Sequence, residues 1–154
     1  MGNSGFSLIE LMICLIIVSV LVIIAVPSLK EVEMSANETW AVTYMRSWVA
    51  SQESFKLRNT AHRYANSDSE LVRAGCLGAP DPGGADPRIC GYTFEIRAGS
   101  ELDDNSREYW EGYARPIALG TTGRYGYFIS GKDGMIRYSA SGSANESSPP
   151  LTNN

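Results

Sequence analysis

Between Phe6 and Val26 almost every residue is apolar, and Glu10 is the one charge in the stretch. As an α-helix those 21 residues extend about 31 Å at 1.5 Å per residue, enough to cross the hydrocarbon core of a bilayer. A helix that is apolar on every side has no face to give to water, so it must find lipid or other apolar helices. Two competing readings fail on particulars. A secretory signal peptide has a basic start, a shorter apolar core and small residues at its cleavage site. Here Met1 to Gly5 carry no Lys or Arg, Ala25-Val26-Pro27 is a poor cleavage site, and helical sequence continues from Ser28 to about Arg58. A helix buried in a soluble core is disfavoured by this length of unbroken hydrophobicity. The expectation is a membrane-spanning helix.

The remainder reads as soluble sequence. The chain has 154 residues and a formal charge of -4, with 17 acidic and 13 basic residues. That length suits one compact domain plus a single extra element. The mildly acidic balance has the wrong sign for a nucleic-acid binder. The span is followed by Lys30-Glu31-Val32-Glu33, which is not basic. Charge therefore fits an N-in, C-out topology without fixing it.

From Ser28 to about Arg58 the period is helical. Trp40, Tyr44, Trp48 and Phe55 recur four, four and seven residues apart, on one face, with Met45 and Val49 widening the stripe. Such a ladder could be imagined carrying electrons, but large aromatics dominate core burial, and packing against a sheet is the better reading. With the span included, the helix would run about 53 residues, roughly 80 Å. Asn59 to Arg73 connects, with a short helix expected within it. Strand signals follow at Gly91–Arg97, Tyr109–Pro116, Arg124–Ser130 and Met135–Tyr138, the last two joined through Lys132-Asp133-Gly134. The expected fold is α+β: a long N-terminal helix packed on an antiparallel sheet of about four strands. The Ser, Gly, Asn and Pro tail from Ser139 is expected on the surface and partly disordered.

The segment Gly5-Phe6-Ser7-Leu8-Ile9-Glu10-Leu11-Met12-Ile13 resembles the processing site of type IV pilins and type II secretion pseudopilins. In that family a short polar leader ends in Gly and is followed by Phe. Glu is the fifth mature residue, and Pro the twenty-second closes an apolar span. Counted from Phe6, Glu10 is fifth and Pro27 is twenty-second. The likeness is close over roughly the first 35 residues and general beyond. One departure is that the leader lacks the usual Lys or Arg. The resemblance implies four parts: a leader at 1–5, an assembly half of the helix at 6–26, an amphipathic half at 27–58 and a head at 59–154. It implies cleavage between Gly5 and Phe6 by a prepilin peptidase, N-methylation of Phe6, and polymerisation with copies of itself by inner-membrane assembly machinery. It also implies a membrane-held precursor and an extracellular filament, with no cofactor and no small-molecule substrate.

Physical chemistry bears on two of these residues directly. An acid within a span costs about 2.5–3.5 kcal/mol and needs a partner. In the resemblance Glu10 finds it in the amine of Phe6 on a neighbouring subunit, which would set axial register. Pro27 removes one helical donor, leaving the Ile23 carbonyl unpaired, so a kink or weak point is expected there.

In an exported head, Cys76 and Cys90 bracket a turn-rich loop and suggest a disulfide, worth about 3 kcal/mol. Cys14 lies in the span as a small apolar residue. His62, the only histidine, has no second His or nearby Cys at ligand spacing, so no metal is expected. Asp81 and Asp86 lack a calcium-loop pattern. Asn37-Glu38-Thr39 and Asn145-Glu146-Ser147 match a glycosylation pattern too short to carry a reading. Gly120, Gly123 and Gly126 suit turn chemistry. No catalytic constellation is present, so the chain is read as a non-enzyme. The leading reading is a structural subunit of a type IV pilus, a major pilin. A pseudopilin and a membrane-anchored binding module remain alternatives.

Overall fold

A computed structural model describes residues 6–78, 88–98 and 109–152. The chain forms two compact units, Met1–Glu33 and Met34–Asn154. Helix α1, Leu8–Arg58, is assigned without a break through Pro27. In the first unit its apolar side chains are exposed from Phe6 to Ile23. By length and composition this helix can cross a membrane.

In the second unit α1 packs on an antiparallel sheet. After α1 come α2 (Asp68–Arg73), β1 (Arg88–Ile89), β2 (Tyr92–Ala98), β3 (Trp110–Pro116), β4 (Gly126–Ser130) and β5 (Ile136–Ser139). The strands lie in chain order, each antiparallel to the next. The four strands read from sequence are β2 to β5, and the two-residue β1 adds a fifth at the edge. Register makes the inner face legible. Phe94, Ala114, Tyr127 and Tyr138 form one row across the sheet, and Ile96, Gly112, Ile129 and Ile136 the next.

The helix meets these rows through its rings. Trp40 stacks on Tyr44 at 5.0 Å, and Phe94 stands edge-on to Trp40, Tyr44 and Trp48 at 5.8, 5.1 and 5.9 Å. Edge-to-face contacts at such spacings add to area burial. Trp48 is fully buried, Tyr44 and Phe55 are buried, and Trp40 is half-buried at the margin. Gly112 makes room for the indole: a Cβ there would lie 2.5 Å from Trp48 Cζ3 and 2.8 Å from Ile129 Cγ2. On the outer face the Tyr113 ring lies between the guanidinium groups of Arg97 and Arg115, at 5.1 and 5.0 Å.

The connecting segment is tied down by a buried amide. Gln52 donates Nε2 to the Ala65 carbonyl at 3.0 Å and accepts the Ala65 N–H at 2.8 Å. Helix α2 follows, with Ser67 as its N-cap accepting the Glu70 amide.

Two expectations need correction. The tail does not wander: Tyr138 N–H donates to the Pro149 carbonyl at 3.1 Å and Leu151 N–H to the Ile136 carbonyl at 2.7 Å. It thus returns along β5, on a sheet edge where proline's missing donor costs nothing. Its Gly142 backbone also presses close to Gly126. Second, Cys76 and Cys90 are free thiols and form no bridge. The Cys76 thiol instead faces the Ala74 carbonyl at 3.7 Å, and Cys90 sits exposed in the β1–β2 turn with φ 48°. Asp81 and Asp86 lie outside the described residues.

Candidate assembly site

The residues singled out at the N-terminus fall in the first unit, and of them Gly5 lies outside the described residues. Phe6 is exposed ahead of the helix, and Ser7 precedes its first turn. The Glu10 carboxylate turns back to accept the Ser7 N–H at 3.0 Å, and Leu11 N–H donates to the Ser7 carbonyl at 3.2 Å. This is half of a capping box: an acid in the first turn satisfies one donor that the helix start leaves orphaned. The acid also sits at the positive end of the helix dipole. Glu10 thus has a partner within its own chain, a role that sequence reading missed because it sought the partner only in a neighbouring copy. The Ser7-to-Glu10 spacing carried the signal.

The rest of the run suits an apolar environment. Ser19, its one mid-helix hydroxyl, donates to the Leu15 carbonyl at 2.7 Å and so asks nothing of its surroundings. Cys14 is exposed on the same surface. Past the run, Lys30, Glu31 and Glu33 are exposed beside Leu29 and Val32. None of the three charges makes an ion pair among the described residues.

The second unit holds a clamp that sequence reading did not find. Glu38, on α1, accepts the Arg124 N–H at 2.6 Å and its side-chain Nε and Nη2 at 3.2 and 3.0 Å. One residue earlier, Asn37 Nδ2 donates to the Thr122 carbonyl at 3.0 Å. Together they fasten the β3–β4 connection to the helix. Asn37 is therefore occupied structurally, whereas Asn145 shapes a surface turn, its Oδ1 accepting the Ser147 N–H at 3.0 Å. His62 is exposed with φ 47°. Among the described residues no group of three or more His, Cys, Asp or Glu side chains stands where it could hold a metal.

Comparisons with known proteins agree with the N-terminal geometry. Residues 1–26 match the family model of the prokaryotic N-terminal methylation motif. The chain is 30% identical over 77 residues to the type IV wide pilus major component PilA4 of Thermus thermophilus, a match covering 50% of this chain and 57% of that protein. The chain thus spans little more than half the length of that relative. No solved structure matches it. The chain thus carries a prepilin-type N-terminal methylation motif, and it is similar over half its length to a type IV pilin, with a helix-on-sheet fold consistent with that likeness. Type IV pilins are structural proteins and not an enzyme family.

Proposed function

We propose that the mature chain is a subunit, and specifically a major subunit, of a type IV pilus that polymerises through its N-terminal helix. The observation that carries this is a helix start with an all-round exposed apolar surface, whose first-turn acid is held, among the described residues, by its own backbone. Such a surface is stable in lipid, and equally among identical helices. A prepilin peptidase would cut between Gly5 and Phe6, and the freed, methylated amine of Phe6 would meet Glu10 of the adjacent copy. Glu10 would then exchange a neutral backbone donor for a full charge, a stronger partner in a poorly solvated setting. Pro27, which withholds a donor from the helix, supplies a weak point where the span can adjust. The precursor would sit in the inner membrane, N-terminus inside, with Met34–Asn154 outside. Handling by the membrane assembly machinery would lead to an extracellular filament. Similarity to a relative named as a pilus major component favours the pilus over a secretion pseudopilus or a binding module.

Mass spectrometry of protein sheared from cells tests processing and export together. A chain beginning at N-methylated Phe6 is expected, and one still beginning at Met1 overturns the reading. Glu10→Ala should leave membrane insertion intact and strongly reduce filaments. Normal filaments from that variant would remove Glu10 from assembly.

A further inference from the structure

Two Asn-x-Ser/Thr triplets stand in the chain, Asn37-Glu38-Thr39 and Asn145-Glu146-Ser147. As sequence they are equivalent, and the fold separates them. An enzyme that glycosylates such a triplet must reach the asparagine amide and the hydroxyl two residues on, in an exposed stretch of an exported protein. The first triplet offers neither group. It lies within α1, where residues two apart face different ways. Asn37 Nδ2 is spent on the Thr122 carbonyl at 3.0 Å, and Thr39 Oγ1 donates to the Ser35 carbonyl at 2.8 Å. The second triplet is arranged the other way, with all three residues exposed. Asn145 Oδ1 turns inward, accepting the Ser147 N–H at 3.0 Å and the Ser148 hydroxyl at 3.3 Å. Ser148 closes the turn, its N–H donating to the Asn145 carbonyl at 3.0 Å and its Oγ accepting the Asn145 N–H at 3.1 Å. With Oδ1 held, Nδ2 is the outward atom of the amide. Neither it nor the Ser147 hydroxyl makes a hydrogen bond among the described residues. The same turn folds the Asn145 side chain over Ser147, the residue whose hydroxyl the enzyme reads.

We propose that Asn145 is an N-glycosylation site and that Asn37 is not one. The donor is a glycan carried on a lipid-linked diphosphate. Asn145 Nδ2 attacks the anomeric carbon, and the C–N bond forms as the C–O bond to the diphosphate breaks. The lipid diphosphate leaves with the bonding electron pair, and the amide gives up one proton. The inward hold on Oδ1 does not compete, because only Nδ2 reacts. Such a donor is used outside the cytoplasm, so the proposal rests on the export of Met34–Asn154 read above. The glycan would stand where the tail turns back to pair with β5, Arg137 opposite Pro150. Sheet edges are where other chains add on, and a bulky, hydrated group there would obstruct such pairing.

The test is peptide mass spectrometry of the full-length protein recovered from the cells that make it, with its N-terminus read in the same digest. The peptide containing Asn145 should carry a glycan mass, and electron-transfer fragmentation should place that mass on Asn145. The peptide containing Asn37 should have its unmodified mass. Asn145→Gln and Ser147→Ala should each remove the added mass completely, and Thr39→Ala should leave it unchanged. Ser147→Ala keeps every hydrogen bond of the turn, so loss of the glycan from that variant does not come from misfolding. A chain processed to Phe6 with Asn145 at its unmodified mass overturns the proposal and leaves export standing. An unmodified chain that still begins at Met1 overturns both. A glycan that fragmentation places on a tail serine, or one that survives Ser147→Ala, means that the triplet is not what the enzyme reads and also overturns it.

Discussion

Gln52 is the residue on which the order of the connecting segment turns. Its side-chain amide satisfies both backbone groups of Ala65, and both residues are fully buried. Leucine has nearly the same volume and would preserve packing while leaving a buried N–H and a buried carbonyl without partners. Each such group costs about 1–3 kcal/mol. Gln52→Leu should therefore destabilise the chain by about 2–4 kcal/mol, read as a lower midpoint of denaturant unfolding in detergent. A loss under 0.5 kcal/mol, roughly the size of an ordinary surface change, would show that water reaches Ala65. Glu38 behaves similarly: removing it strands the Arg124 amide, while the exposed guanidinium turns to water. Neither residue announces itself in sequence. A Gln and a Glu on a helix read as solvated positions until the partner is known, and Ala65 and Arg124 lie 13 and 86 residues away.

At the scale of elements, the long helix and the sheet were legible because their periods differ. Apolar continuity marked the span, a spacing of four marked the aromatic face, and alternation marked the strands. The partner of that face was not legible. Phe94 stands among three rings of α1, and Gly112 is the hollow that receives Trp48, yet both look like ordinary strand positions. Gly112→Val tests the hollow. Its side chain would overlap the Trp48 ring and Ile129 at distances no relaxed contact reaches. Overpacking of this kind costs about 1–3 kcal/mol, and displaced Trp48 should show altered fluorescence. Unchanged stability and spectrum would mean that the helix sits further from β3. The tail escaped the sequence reading for a related reason. Its composition is that of disorder, but its backbone pairs with β5, and backbone pairing leaves little trace in side-chain pattern. The cysteine loop was read by analogy with exported domains, and proximity in sequence says nothing about whether two Cβ vectors converge.

For the molecule as a whole, every buried side chain of the core cluster falls between Ala41 and Ile136, within the second unit. The stability of Met34–Asn154 is thus set by its own rings, and these predict its response to alkali. Burial pushes the Tyr44 hydroxyl up to about 12, and burial with the Glu111 hydrogen bond does the same for Tyr113. Burial raises Tyr92 and Tyr127 further still. In the unfolded chain all four ionise near pH 10. A folded-state pKa above the unfolded value means that the folded form holds its proton longer. The associated stability is complete below about pH 10 and is lost as pH rises through 10 to 12 and beyond. Of the eight tyrosines, these four should therefore ionise late and together, in step with loss of the folded signal. Phenolate absorbance followed against circular dichroism over that range checks the coupling. Four separate early ionisations with the fold intact would mean that the ring cluster is open to water. Tyr44→Phe should move unfolding to higher pH by removing one of the coupled protons, while leaving the ring packing against Trp40 and Phe94 in place.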